Sequence, residues 1–142
     1  MIKVMNLGIM NMDHQLNIKT FNFNSFRENC YVLWDGRGNC VFVDPGCYWP
    51  EEFAKIKELV KTERLTPKAI WLTHGHFDHV HGVLRIVQEY SVPVLMSPED
   101  KMILDNNPAA VREFGLVAHD SSEIKTVDIR DGEVLDTLEG SP

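Results

Sequence analysis

The chain has 142 residues, of which 44% are hydrophobic and 25% are charged, and this composition excludes a disordered or low-complexity polypeptide. Its length suits one domain with a core of its own, and no apolar run approaches the roughly 20 residues that span a bilayer. The net charge of −7 arises entirely from residues 98–142, which carry eleven acidic and four basic side chains, and this argues against a nucleic-acid or anionic-membrane surface.

Residues 1–17 are interpreted as an N-terminal extension, and residues 18–142 as one domain. An early lysine and some apolar residues resemble the start of a signal peptide, but Asn6, Asn11 and Asp13 interrupt them and no small-residue cleavage site follows. We therefore expect a cytoplasmic location.

The chain has three cysteines, Cys30, Cys40 and Cys47, without a CxxC pair. This odd number and spacing predict reduced side chains packed in or near strands, rather than a zinc-thiolate site.

The first predicted elements are antiparallel strands. Alternation over Ile18–Phe26 predicts a half-buried strand with Phe21 and Phe23 on one side. The runs CYVLWD and CVFVDPG are separated by Gly36-Arg37-Gly38-Asn39, which is a hairpin signal because glycine readily adopts the positive φ of a tight turn.

Helices and buried strands then alternate. Pro50 opens a helix over EEFAKIKELVKTER, with acidic residues first and basic residues later, as the helix dipole favours. The later predicted elements are a strand at AIWLT, a helix over Val83–Tyr90, a strand at VPVLM, a helix start capped by Ser97, a short helix PAAVREF ending at Gly115, and strand positions at Val127, Ile129, Val134 and Leu135. This order predicts an α/β chain that opens with antiparallel strands and continues with β-α-β units.

Four of the six histidines lie in the ten residues THGHFDHVHG, which begin where the AIWLT strand ends. In extended chain His74 and His76 project to the same side, where one cation can bind both imidazoles, whereas a helix would direct them roughly 200° apart. Asp78 and His79 follow where the backbone turns, and they can offer a second ligand pair to a second cation. Imidazole and carboxylate without thiolate suit zinc first, with iron and manganese as alternatives. A cation there would give a bound hydroxide near neutral pH, and hydrolysis of an ester, thioester, amide or phosphoester follows from that chemistry.

The pattern H-x-H-x-D-H-x-x-G, present as His74, His76, Asp78, His79 and Gly82, resembles the signature of metallo-β-lactamase-fold hydrolases. The preceding NCYVLWDGRGNCVFVDPG resembles the entry hairpin of the same superfamily, and the likeness runs from about Ile18 to Ile129. It is most similar to the small hydroxyacylglutathione-hydrolase-like (glyoxalase II-like) members.

The resemblance implies an αββα sandwich with metal at one edge of the sheets. It implies that His74 and His76 ligate a first metal, that Asp78 and His79 ligate a second, and that Asp78 also orients the attacking hydroxide. The resemblance also implies that Asp44 lies beneath these ligands and supports them. The alternative is that Asp44 is an ordinary turn aspartate with no role at the metal site. His81 lies at a variable position of the motif and is not expected to be a ligand.

The chain departs from the family pattern after the motif. A third histidine in a G-H-[ST]-x-G-type loop, a bridging aspartate and a last histidine are absent, and His119 lies in no such loop. We therefore expect the chain to be mainly the N-terminal half of the sandwich, as a truncation, a proteolysed product or the product of a split gene. One sheet would then lose much of its cover, and a homo-oligomer could hide the exposed face.

Two functional hypotheses remain. The first is a metal-dependent hydrolase that uses a metal-bound hydroxide on a small thioester or ester. The second is a catalytically inactive fragment, or a partial metal-binding module that needs a complementing chain. A nucleic-acid-processing relative is a third choice, which the acidic charge disfavours.

Overall fold

A computed structural model of the chain describes residues 16–73, 77–100 and 126–129. Six strands within these ranges form one sheet, and they lie side by side in chain order. Their bounds are β1 Asn17–Phe23, β2 Glu28–Trp34, β3 Asn39–Val43, β4 Thr66–Trp71, β5 Val94–Met96 and β6 Thr126–Asp128. Strands β1 to β3 pair antiparallel, and each later strand pairs parallel to the strand before it. The predicted order of an antiparallel entry followed by β-α-β units is confirmed.

In the described ranges, the connections between strands include two α-helices and two short 3₁₀ helices. Helix α1, Pro50–Thr62, joins β3 to β4, and helix α2, Val83–Tyr90, joins β4 to β5. The 3₁₀ helices cover Phe77–His79 and Pro98–Asp100. Both α-helices were predicted, because proline at the first position and amphipathic spacing are local signals.

Both faces of the sheet bear apolar side chains, as expected of strands buried on two sides. Cys40 and Phe42 of β3 belong to the larger cluster, which also includes Ile56 of α1 and Ile86 of α2. The residues between and after them point to the opposite face, where a second cluster comprises Leu33, Val41, Val43, Ala69 and Trp71.

The second cluster corrects one expectation from the sequence. Each of its five members is buried, and the most exposed of them, Leu33, has a relative exposure of 4%. The prediction of an open apolar face is therefore wrong for these five residues. On the same face Ile18, Tyr31 and Val127 are 61%, 36% and 53% exposed, so for the rest of the face it stays a prediction. A homo-oligomer that covers this face also stays a prediction.

Strand β1 also ends earlier than predicted. It stops at Phe23 rather than Phe26, because Asn24 and Arg27 take left-handed backbone conformations with φ of 55° and 52°. Residues 24–27 form a turn that is closed by a hydrogen bond from the Arg27 N–H to the Asn24 carbonyl, at 3.2 Å. The start of β1 at Asn17 lies one residue before the predicted domain boundary.

The three cysteines are free and buried, as predicted. Burial raises the pKa of the Cys30 thiol well above its ordinary value, and it raises the pKa values of Cys40 and Cys47 to about 12. All three thiols are therefore protonated near neutral pH.

No helix in the described part of the chain is long and apolar enough to cross a lipid bilayer. The predicted PAAVREF helix, its stop at Gly115, and the strand positions Val134 and Leu135 lie outside the described residues.

Candidate metal centre

The candidate site lies where two parallel strands end. Val43 of β3 is paired with Trp71 of β4, so the residues after these strands, Asp44 and Thr73, emerge at the same edge of the sheet. This edge, at the carboxyl ends of the strands, is where α/β proteins commonly bind ligands. The Asp44 N–H donates to the Trp71 carbonyl at 3.0 Å, which continues the pairing by one residue.

The Asp44 carboxylate holds the start of the histidine motif. The Thr73 N–H donates to Asp44 Oδ1 at 2.8 Å, and the Thr73 hydroxyl donates to Asp44 Oδ2 at 2.5 Å. Asp44 is only 3% exposed, so its charge is satisfied by these donors rather than by water.

The same carboxylate contacts His79. Asp44 Oδ2 lies 3.0 Å from His79 Nδ1, so Nδ1 carries the hydrogen of the neutral ring and Nε2 keeps its lone pair. In a metal-binding histidine, one ring nitrogen usually donates to a carboxylate while the other binds the cation, and His79 has such a carboxylate at Nδ1.

The ligand atoms of Asp78 and His79 converge. Asp78 Oδ2 lies 3.3 Å from His79 Nε2, and their side chains are 23% and 21% exposed. Two ligands of a tetrahedral Zn²⁺, with bonds of about 2.0–2.2 Å, are separated by roughly 3.4 Å. The pair therefore fits one divalent cation that reaches it from solvent.

The charge around His79 also favours a cation. Burial alone lowers the pKa of His79, but the hydrogen bond that its Nδ1 donates to Asp44 and the negative charges of Asp44 and Asp78 outweigh it, so its pKa is raised above 6.5. A positively charged imidazole is stabilised here, and the same negative field stabilises a metal ion that takes the place of the proton.

The other predicted ligands, His74 and His76, lie outside the described residues, as does His119. Across residues 16–73, 77–100 and 126–129, no three His, Cys, Asp or Glu side chains are arranged so that together they could hold one metal ion. The described part thus brings together the Asp78–His79 pair and Asp44.

Sequence reasoning missed a buried carboxyl group beneath the site. Glu28, the first residue of β2, is 5% exposed; its Oε1 accepts from the Gly46 N–H at 3.0 Å, and its Oε2 lies 3.6 Å from His79 Nδ1. Desolvation, with a smaller contribution from the charges of Asp44 and Asp78, raises its pKa to about 9, so Glu28 is neutral near pH 7. The signal was present, because alternation along ENCYVLW places Glu28 on the same buried side as Cys30 and Val32.

Two glycines allow the motif to pack against the turn after β3. A Cβ on Gly82, the last residue of the motif, would overlap Cys47 Sγ and approach the Pro45 carbonyl oxygen to 2.8 Å. A Cβ on Gly46 would overlap the Asp78 carbonyl oxygen. The Gly82 N–H donates to the Pro45 carbonyl at 2.8 Å, so the close approach is also hydrogen-bonded.

His81 is buried, and its ring meets the Tyr48 ring edge to face with centroids 4.9 Å apart. That His81 is not a ligand stays a prediction.

Comparison with known proteins decides the family. The model of the metallo-beta-lactamase superfamily matches residues 25–141. The chain belongs to this superfamily. The resemblance and the fold class predicted from the sequence are thereby confirmed.

Hydroxyacylglutathione hydrolases are among the relatives of this metallo-β-lactamase-fold chain. Hydroxyacylglutathione hydrolase GloC of Haemophilus influenzae is 33% identical over 102 residues, which are 71% of this chain and 46% of that protein. The hydroxyacylglutathione hydrolase of Citrobacter koseri is 34% identical over 110 residues, which are 68% of this chain and 42% of that protein.

Solved structures show the same fold. TTHA1623 in a di-iron-bound form superimposes with a TM-score of 0.71 at 32% identity, over 82% of this chain and 56% of that one. The B3 metallo-beta-lactamase BLEG-1 superimposes with a TM-score of 0.66 at 27% identity, over 85% of this chain and 56% of that one. The chain therefore spans about half the length of the relatives it matches.

Proposed function

We propose that this chain serves a metal-dependent hydrolase that acts on a small thioester or related ester. The observation that carries the proposal is the geometry of Asp44, His79 and Asp78, in which one carboxylate fixes the imidazole through Nδ1 and the Nε2 of the same ring lies 3.3 Å from a second carboxylate oxygen. Two relatives that are named hydroxyacylglutathione hydrolases support an acyl-transfer substrate of this class.

In this proposal His74 and His76 bind one cation, and Asp78 and His79 bind a second. Zinc is the first choice of metal, and the di-iron form of TTHA1623 supports iron as an alternative beside manganese. When bound, such a cation supplies Lewis-acid activation of water and of the acyl carbonyl.

The chain's own residues would prepare the reaction. Asp44 holds His79 with Nε2 directed at the cation site, and Asp78 accepts a hydrogen bond from the attacking water and so orients it. Water then adds to the acyl carbon, the bond from that carbon to sulfur or oxygen breaks, and the thiol or alcohol leaves with a proton.

The alternative is a partial metal-binding module that becomes active only with a complementing chain. The sequence supports it, since His119 lies in no G-H-[ST]-x-G-type loop and two protein ligands alone hold zinc weakly. A cytoplasmic location and the absence of a nucleic-acid partner remain parts of the proposal.

Metal content and thioester cleavage test the proposal together. The dialysed chain is analysed by inductively coupled plasma mass spectrometry beside His74→Ala/His76→Ala and Asp78→Ala/His79→Ala, and thiol release from an acyl-glutathione is followed for each. We expect near-stoichiometric zinc, iron or manganese that falls in both double variants, with thiol release that falls in parallel. Bound metal without thiol release would favour the partial module, and no metal in the unsubstituted chain would overturn the proposal for this chain.

A further inference from the structure

We propose that Asn24 is a positioning residue for the Asp78–His79 pair, through an amide that ties the metal-binding segment to the turn after β3. The inference rests on the proposed function, because it assigns the support of a ligand pair that the function requires. It concerns a residue outside the histidine motif, 54 positions before Asp78.

The Asn24 amide bridges two segments that are far apart in the chain. Its Nδ2 donates to the Asp78 carbonyl at 2.7 Å and to the Gly46 carbonyl at 2.9 Å. These bonds use both amide hydrogens, so the side chain has no further donor to offer.

The orientation of the amide follows from its partners. Asn24 Oδ1 accepts from the Phe26 N–H at 2.9 Å, whereas the groups on the other side of the amide are two carbonyl oxygens that require a donor. The flipped amide would face oxygen with oxygen and N–H with N–H, which excludes it.

The backbone of Asn24 is held as firmly as its side chain. Its N–H donates to Glu52 Oε2 at 2.7 Å, and Glu52 Oε1 accepts from the N–H groups of Tyr48 and Trp49 at 2.8 and 3.1 Å. Asn24 has a φ of 55°, a region that asparagine tolerates better than most residues, and it is 9% exposed. The residue thus joins the β1–β2 turn, the β3–α1 turn, the start of α1 and the motif.

The two hydrogen bonds of the Asn24 amide lie next to the proposed metal ligands. Asp78 lies in a 3₁₀ helix of three residues, Phe77–His79, so a shift of its backbone also moves the neighbouring His79. Gly46 lies two residues after Asp44, and its backbone is so close to Asp78 that a Cβ would overlap the Asp78 carbonyl. Asn24 therefore holds Asp78 at a set distance from the turn that carries Asp44, the partner of His79 Nδ1.

The test replaces the two amide hydrogens without changing the shape of the side chain. Asn24→Asp keeps an acceptor for the Phe26 N–H and a residue that tolerates the left-handed backbone, but it turns an oxygen towards both carbonyls. Asn22→Asp is the matched control, since it adds the same charge two residues earlier, where Asn22 Nδ2 donates to Asn29 Oδ1 at an exposed position.

Two readouts are taken on the full chain, below the unfolding temperature of each variant. Titration with Co²⁺, followed by visible absorption, gives the affinity of the folded chain, and ¹⁵N spectra of labelled histidine, without metal, report the His79 ring. We expect Asn24→Asp to weaken Co²⁺ binding by roughly 10–100-fold, as loss of a partner behind a metal ligand does, and to shift the His79 ring signals. Asn22→Asp is expected to change neither.

The outcomes separate this inference from the proposed function. If the unsubstituted chain binds no Co²⁺ or Zn²⁺, the proposed function fails, and the metal-free His79 signals alone decide the role of Asn24. If Asn24→Asp does not fold, Asn24→Gly replaces it, since glycine adopts this φ freely and also lacks the amide. A folded Asn24 variant whose Co²⁺ affinity and His79 signals match those of Asn22→Asp would overturn the inference, even if its unfolding temperature is lower.

Discussion

The Asp44 carboxylate accepts three hydrogen bonds. Oδ1 accepts from the Thr73 N–H, and Oδ2 accepts from the Thr73 hydroxyl and from His79 Nδ1. All three groups are donors. An asparagine amide at this position would present an N–H to at least one of them, so it could not accept from all three. The charge of Asp44 therefore matters as much as its shape.

Asp44→Asn is expected to weaken Co²⁺ binding by roughly 10–100-fold, because His79 loses the acceptor that orients its ring. It should also lower the free energy of unfolding by about 1–3 kcal/mol, since a buried donor is left unmet. Co²⁺ titration and urea unfolding measure the two effects. Asp35→Asn is the control, because Asp35 is equally buried, at 2% exposed, but accepts from Arg37 and Asn39 in the β2–β3 turn. Equal Co²⁺ affinities in the two variants would contradict the role of Asp44.

Glu28 predicts a pH dependence of stability. Its pKa is about 9 in the folded chain and 4.5 ordinarily, so between these values the folded chain keeps a proton that the unfolded chain loses. The free energy of unfolding should therefore fall as pH rises from about 5 to about 9. His79, whose pKa is also raised, adds a loss in the same direction as pH rises through that pKa.

Glu28→Gln imitates the protonated acid, so the free energy of unfolding should fall less as pH rises. The fall that remains is the part due to His79. Urea unfolding at pH 5, 7 and 8.5 measures the slope, with Glu58→Gln on the exposed side of α1 as the control. A slope that is as steep in Glu28→Gln as in Glu58→Gln would show that Glu28 ionises normally.

At the scale of elements, features that depend on neighbouring residues were largely predicted from the sequence. Contacts between residues that are far apart in the chain were mostly not predicted. Helix α2 was predicted at its observed bounds, and the β2–β3 hairpin was predicted from its glycines, because both depend on neighbouring residues. The hydrogen bonds of Asn24 to Gly46 and Asp78, and of Glu28 to Gly46, were missed, because these partners lie 18 to 54 residues away in the chain. The motif predicted Asp78 and His79 as a pair, and the resemblance implied that Asp44 lies beneath them. The fold supplies the contact itself, with Asp44 Oδ2 at 3.0 Å from His79 Nδ1.

The last glycine of the motif, Gly82, packs closely against the turn after β3. Gly82→Ala should lower the free energy of unfolding by about 1–3 kcal/mol, as overpacking does, because the new methyl group meets Cys47 Sγ and the Pro45 carbonyl. Gly36→Ala is the control, since a Cβ there has no neighbour within 4 Å. Thermal or urea unfolding compares the two, and similar stabilities would mean that the motif and the turn separate without cost.

At the scale of the whole molecule, the sheet carries a cluster of buried apolar side chains on each of its two faces. Val32 and Phe42 belong to the larger cluster, whereas Leu33 and Val41 belong to the cluster on the opposite face. The residues of both clusters are buried, so each cluster should contribute to one cooperative unfolding transition.

Val41→Ala and Val32→Ala probe the two faces with the same substitution. Each valine is 0% exposed, so each change should cost roughly 2 kcal/mol of unfolding free energy, from the lost burial and the cavity left behind. Val127→Ala, at a position that is 53% exposed, should cost little. Urea unfolding measures all three, and a Val41→Ala cost as small as that of Val127→Ala would mean that the second face is open in solution.

The rate at which the three buried cysteines are alkylated measures how often their surroundings open. A thiol with a pKa near 12 hardly reacts while it stays buried, so iodoacetamide modifies each cysteine only when its surroundings open. Cys47 lies against Gly82 of the motif, whereas Cys40 pairs with Trp34 beside the β2–β3 turn, so the two report on opposite ends of β3. Added zinc that reaches the proposed site should slow alkylation at Cys47 more than at Cys40, and mass spectrometry of the peptides can time both in one sample.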